Sequence, residues 1–166
     1  FMTSHPKDLS EDLIQVMKHS KKICRHLHLP LQAGSNKILK AMNRVYTKEQ
    51  YIALAKHIRE EIPDMAITTD LIVGFPGETL ADVVKEIQYD NAFTFIYSKR
   101  SGTPAAAMEQ VPEEIVKEGF NKLLKVVQET ARDRVKRYEG MVMEALVEER
   151  NEQDASLLTG RHVFNR

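Results

Sequence analysis

The chain has 166 residues, 42% hydrophobic and 29% charged, with 24 basic against 24 acidic side chains. That suits one ordinary soluble domain, and the even balance excludes a globally basic nucleic-acid binder while leaving local basic patches open. No apolar run reaches the ~18 residues of a membrane span, no basic-then-apolar leader suggests export, and a lone cysteine, Cys24, cannot form an intrachain disulfide, so a cytoplasmic location without membrane contact is expected.

The chain begins at Phe1 in mid-pattern, like the end of a strand, which leads us to expect a fragment. Ser10 is placed to cap a helix over residues 11–20, with Leu13, Ile14 and Met17 on one side. Residues 26–31, HLHLPL, alternate as a strand does, with Pro30 near its end or at a bulge. After the AGSN turn, Ser35 is expected to cap a helix through Asn43. Thr47–Gln50, TKEQ, spells a capping box, and the helix behind it carries Tyr51, Ile52, Leu54, Ala55, Ile58 and Ile62 at helical spacing. Residues 65–73 are β-branched and apolar, a strand that runs into the loop GFPGE and a helix from Thr79. NAFTFIYS reads as the next strand and KRSGTPA as its loop. A long helix is expected over residues 112–136, and short strands without helices follow from about Tyr138.

The repeat of strand, glycine-bearing loop and helix over residues 1–137 predicts a parallel α/β unit, with an incomplete all-β unit over residues 138–166. Right-handed crossovers bring QAGS, GFPGE and KRSGTP to one rim, the C-terminal edge of the sheet, where ligands bind in such folds. Gly74 would let strand backbone face a flat ligand there; a tight turn shaped by Pro76 and Gly77 would need the same residues. Glu78 suits a helix N-terminus on charge alone.

Other chemistry is thinner. His26 and His28 share one strand face and could hold zinc with His5 or Asp70 as a further ligand, although such pairs more often pack or hydrogen-bond locally. Asp70 lies in an apolar strand and needs a partner: Arg44, Lys99 or a ligand. Arg44 could reach an anion at the rim or lie on the surface. Seven basic residues fall within 115–138, four of them in 132–137, a solvated helix face or a phosphate contact. No nucleophile-elbow, dinucleotide or phosphate-loop motif occurs.

TSHPKDLS, HLHLPLQAGSNKILKAMNRVYT, TTDLIVGFPGET, AFTFIYSKRSGTPAA and QVPEEI, in this order, resemble the radical S-adenosylmethionine (SAM) methylthiotransferases, most closely the bacterial branch that acts on tRNA. The resemblance covers nearly the whole chain. It implies the C-terminal half of a radical SAM partial (β/α) barrel, followed by the start of an all-β TRAM domain that binds tRNA. It also implies a cofactor, SAM, cleaved to a 5′-deoxyadenosyl radical by a 4Fe-4S cluster on a CxxxCxxC loop. A second 4Fe-4S cluster would supply sulfur, and the product would carry a methylthio group on the modified adenosine beside the anticodon. Both cysteine sets are missing from this chain, so it is expected to hold no metal and to be inactive alone. Matched motifs assign cofactor contacts to Gln32, Ser35, Arg44, Asp70, Ile72, Val73 and Gly74. They assign substrate contacts to Tyr97, Arg100 and Thr103, with Arg134 and Arg137 on tRNA phosphate. Ala33 stands where the family often has serine. The segment from Thr79 to Asp90 is about two helical turns short of the family pattern, and the end of the chain departs from the TRAM pattern, which weakens Arg161 and Arg166 as RNA contacts. An RNA-docking module without catalysis, or a relative acting on another base or a ribosomal protein, are the alternatives. Open sheet edges predispose such a fragment to dimerise.

Overall fold

The computed structural model describes residues 4–75 and 81–162 and, of Ala81 and Asp82, the backbone. Pro76, Gly77, Glu78, Thr79 and Arg166, named above, lie outside the described residues. Helix α1 (Glu11–His19) starts at Ser10, whose hydroxyl accepts the Leu13 N–H, and buries Ile14 and Met17. Strand β1 (His26–His28) is shorter than the alternation predicts. The cause is local. Pro30 has no N–H to offer, and Gln32 takes a left-handed φ of 73°. The Leu31 N–H is instead accepted by the Thr69 hydroxyl at 2.9 Å, and pairing resumes where Gln32 bridges Leu71.

Helix α2 (Asn36–Ala41) follows Ser35, whose hydroxyl makes no capping bond. The helix closes with Asn43 at φ 58°. The Asn43 N–H donates to the Lys40 carbonyl and the Arg44 N–H to the Leu39 carbonyl, the paired bonds of a left-handed helix terminus. Helix α3 (Lys48–Glu61) has the reciprocal capping box between Thr47 and Gln50 that its sequence spells. Strand β2 (Ala66–Val73), helix α4 (Ala81–Ile87), strand β3 (Asn91–Ile96) and helix α5 (Glu113–Val135) complete the α/β unit.

The sheet is parallel with order β1-β2-β3, so β2 is central and paired on both edges. Its Ile67, Thr69, Leu71 and Val73 are buried on the face that the helices cover, with Tyr51, Ile58, Val84, Tyr89 and Leu123 in the same core. Each fully buried Leu or Ile there contributes about 1.5–3 kcal/mol. Beyond α5, strands β4 (Ala145–Arg150) and β5 (Leu158–His162) pair antiparallel, with an irregularity between Val147 and Glu149. Leu146, Val147 and Leu158 on this pair are 70%, 55% and 62% exposed, so the two strands have no core of their own.

Candidate functional site: the helix-free face and C-terminal rim of the sheet

Parallel pairing aligns Asp70 with Phe93 and Ile72 with Phe95, and period-two alternation points these four side chains to the face without helices. His28 joins them. Its Nε2 lies 3.4 Å from the Asp70 carboxylate, and its ring meets Phe93 edge-on at 5.9 Å. Asp70 therefore finds its described partner in His28 rather than Arg44 or Lys99.

The Thr68 hydroxyl sits within hydrogen-bond distance of both His28 Nδ1 (2.9 Å) and His26 Nε2 (3.2 Å). The two histidines thus share a threonine. No group of three or more His, Cys, Asp or Glu among the described residues is arranged to hold a metal ion, so the zinc alternative has no ligand set there.

The rim residues divide into engaged and uncommitted groups. The Ile72 N–H donates to the Gln32 carbonyl, and the Val73 carbonyl accepts from the Tyr97 N–H at 2.7 Å. The β2 backbone is consequently paired up to Val73. Val73 turns its side chain into the core, whereas Ile72 is half-buried on the helix-free face.

Gly74 has a structural reason of its own. Its φ is +87°, and a Cβ there would stand 2.7 Å from Val116 Cγ1 of α5. What approaches the end of β2 most closely is thus a side chain of this same chain.

Arg44 is half-buried, and no hydrogen bond or ion pair engages its guanidinium among the described residues. Its position is fixed from both sides. The α2 terminus sets its backbone, and Tyr46, two residues on, donates its hydroxyl to the rim carbonyls of Pro30 (3.2 Å) and Leu31 (3.0 Å). Burial pushes the Tyr46 phenol up, with the charge of Arg44 pulling the other way.

Tyr97 packs its ring edge-on against Phe75 at 5.2 Å, and its hydroxyl is buried without a hydrogen-bond partner among the described residues. Gln32 and Ser35 lie half-buried on the first rim loop. On the last loop, Arg100 and Thr103 are exposed, and the Thr103 hydroxyl donates to the Arg100 carbonyl at 2.8 Å.

The Arg44 guanidinium, with no described partner, and the half-buried apolar Ile72 suit a ligand with a carboxylate and a flat ring. These residues fit SAM. A single thiol, Cys24, is too few to hold an iron–sulfur cluster.

Arg134 and Arg137 stand apart from this rim. Both turn inward, with Arg59, onto Asp90, a carboxylate only 1% exposed. Arg137 Nη2 is 2.6 Å from it, and Arg134 Nε and Arg59 Nη2 are each 3.7 Å away. The outward members of the basic run are Arg132 and Lys136, the latter paired with Asp133. Arg161 pairs with Glu148 at 3.3 Å.

A separate cavity of about 560 Å³, between the loop before β1 and the β4–β5 pair, is lined in part by Cys24, His26, Arg161 and His162. It lies at the N-terminal end of β1, away from the rim. The sequence reading does not single out Phe93 and Phe95, although their alternation with Thr94 and Ile96 was the available signal.

The family model described as "Radical SAM superfamily" matches residues 1–89, more than half of the chain. The chain belongs to the radical SAM superfamily. Its fold is similar to that of Escherichia coli coproporphyrinogen III oxidase (HemN), described as a radical SAM enzyme, with a TM-score of 0.55 and 20% identity over 84% of this chain and 33% of that one.

More specifically, it is similar to the tRNA-2-methylthio-N(6)-dimethylallyladenosine synthases. The protein of that name from Lachnoclostridium phytofermentans is 57% identical over 168 residues, which take in 97% of this chain and 37% of that protein. The one from Acetivibrio thermocellus is 54% identical over 173 residues, covering 100% and 36%. The chain thus spans little more than a third of the curated relatives it matches. The 173 aligned positions exceed the 166 residues of the chain, so the Acetivibrio relative carries extra residues within the matched span.

Proposed function

We propose that this chain is the C-terminal half of the partial barrel of a radical SAM tRNA methylthiotransferase. In this reading the whole protein adds a methylthio group to N6-dimethylallyladenosine beside the anticodon. The observation that carries it is the 57% identity to a synthase so named, sustained over 97% of the chain. The helix-free sheet face, with an uncommitted arginine at its rim, supports it.

When bound, SAM cleaved at an iron–sulfur cluster supplies radical chemistry. This chain's own residues bind and orient. Arg44 holds the cofactor's carboxylate through its planar fork, Ile72 offers an apolar surface to the adenine, and Gln32, Ser35 and the Gly74 backbone supply polar contacts. Asp70, held by His28, keeps a charged acceptor at the floor of the site. Tyr97, Arg100 and Thr103 face the nucleic acid. The β4–β5 pair is the opening of a TRAM-like β unit that docks tRNA, with two iron–sulfur clusters held by the rest of a cytoplasmic enzyme.

The test uses the intact protein, reconstituted with iron and sulfide and given SAM and tRNA carrying the dimethylallyl group. Methylthiolated tRNA is expected. Arg44→Ala in that protein should weaken SAM affinity tenfold or more, as expected for a lost charge-assisted pair. Tight tRNA binding with no SAM affinity would instead identify a docking module.

A further inference from the structure

The proposed reaction leaves two large side chains unexplained. Phe93 and Phe95 are 49% and 52% exposed in this chain, on a sheet face that no helix covers among the described residues. Solvent-facing pairs of phenylalanines with a common orientation are informative in a way that single exposed apolar residues are not.

Their setting is graded. Toward β1 and the N-terminal end, the face is polar, with the Thr68 hydroxyl within hydrogen-bond distance of His26 and His28, and Asp70 3.4 Å from His28. Toward β3 and the C-terminal rim it becomes apolar. Ile72 lies in register with Phe95, one step beyond the Asp70–Phe93 pair. Beyond the end of β3, Tyr97 turns to the core and packs on Phe75. Polar groups thus lie beside a stepped aromatic wall that opens at the rim.

We infer that Phe93 and Phe95 form the wall that receives the branched hydrocarbon arm on N6 of the substrate adenine, and so select a prenylated over an unmodified base. This rests on the function proposed above. The substrate named for the relatives carries both chemistries that the face presents: a heteroaromatic ring with polar edges, and an apolar arm on one of them. The rings supply rigid area to a branched alkyl group at small conformational cost. They stand in register with Asp70 and Ile72, the residues proposed above to meet the cofactor, so an adenine presented to it there would bring its N6 substituent within reach of this wall.

The experiment measures binding of two anticodon stem-loop RNAs to the intact protein, one with N6-dimethylallyladenosine and one with adenosine at the same position. The parent is expected to prefer the first. Phe93→Ala and Phe95→Ala should each cut that preference about tenfold, the scale set by removing apolar contacts worth one or two methylenes from a pocket. Phe95→Leu should keep most of it, and SAM affinity measured in parallel reports an intact fold. Should an alanine variant fail to fold, Phe95→Thr, which keeps a strand-forming residue, carries the same expectation.

Two results overturn the inference while leaving the proposed function standing. One is an unchanged preference in the folded alanine variants; the other is loss of SAM affinity in them with the RNA preference intact. A parent that methylthiolates neither RNA removes the function and the inference together.

Discussion

His57 on α3 and Glu11 on α1 face each other across two helices, with 2.7 Å between Nε2 and the carboxylate. The Glu11 contact raises the His57 imidazole above its ordinary value of about 6.5, while hydrogen bonds from Gln15 and then His57 hold the Glu11 carboxyl below its own. The signs follow from linkage. The His57 contribution is full below the ordinary histidine value and fades as pH rises through the higher folded-state value. The Glu11 contribution is full above the ordinary carboxylate range and fades as pH falls through its lowered one. In an NMR titration His57 should therefore titrate above 6.5, and Glu11→Gln should bring it down. A His57 midpoint unmoved by Glu11→Gln would show that the pair does not persist in solution. By contrast, burial raises the phenols of Tyr51 and Tyr89, and Tyr89 donates to the Tyr51 hydroxyl at 3.2 Å. They are core groups with satisfied oxygens and no part in the rim chemistry.

At the level of single elements, the end of β2 is governed by α5. Gly119 of α5 lies beside Val73, where a Cβ would make only ordinary contact at 3.6 Å, whereas Val116 occupies the space a Gly74 side chain would need. Gly74→Ala combines a left-handed backbone, costing about 1–2 kcal/mol for a residue with a Cβ, with a steric overlap of comparable size. A loss of about 2–4 kcal/mol in denaturant unfolding is expected. Val116→Ala in the same chain should recover the steric part and leave the backbone part. Full recovery, or none, would contradict this division. The α2 terminus follows the same logic at Asn43, where asparagine tolerates the left-handed conformation better than most residues do. Asn43→Gly should be nearly neutral there, and Asn43→Val destabilising, with Arg44 displaced along with the terminus.

Across the whole molecule, Asp90 is the point where separate elements meet. Its carboxylate accepts the Ile67 N–H of β2 at 2.9 Å and faces Arg59 of α3, Arg134 of α5 and Arg137 just beyond. Arg59 also donates to the Ile87 and Gln88 carbonyls, closing α4. Arg137 stacks over Tyr138 at 4.6 Å, and Tyr138 meets His162 of β5 at 5.7 Å. A chain of contacts therefore runs from the buried carboxylate to the β4–β5 pair. Removing one partner of a buried ion pair leaves uncompensated charge, here three guanidinium groups, so Asp90→Ala should cost about 3–5 kcal/mol. Asp90→Asn, which keeps an acceptor for Ile67, should cost less. Equal losses would assign the effect to the uncompensated arginines rather than to the backbone bond.

The elements themselves were legible because each is written locally. TKEQ is a capping box by composition, the apolar spacing of residues 51–62 admits only a helix face, and three βα repeats leave a parallel sheet as the simple packing. The position of the rim followed from handedness, and the recurrence of five stretches in order carried the family. What chain order does not encode is which distant groups share a space. Whether Gly74 serves a ligand or α5 depends on where Val116 arrives, forty-two residues later. Arg134 and Arg137 read as a basic surface run until Asp90, forty-four and forty-seven residues earlier, is found beneath them. Asp70 could have met Arg44 or Lys99, and strand register set it beside His28. Periodicity assigns a side chain to a face through bonded geometry. Burial and partnership arise from nonlocal packing, which is decided when the helices settle on the sheet.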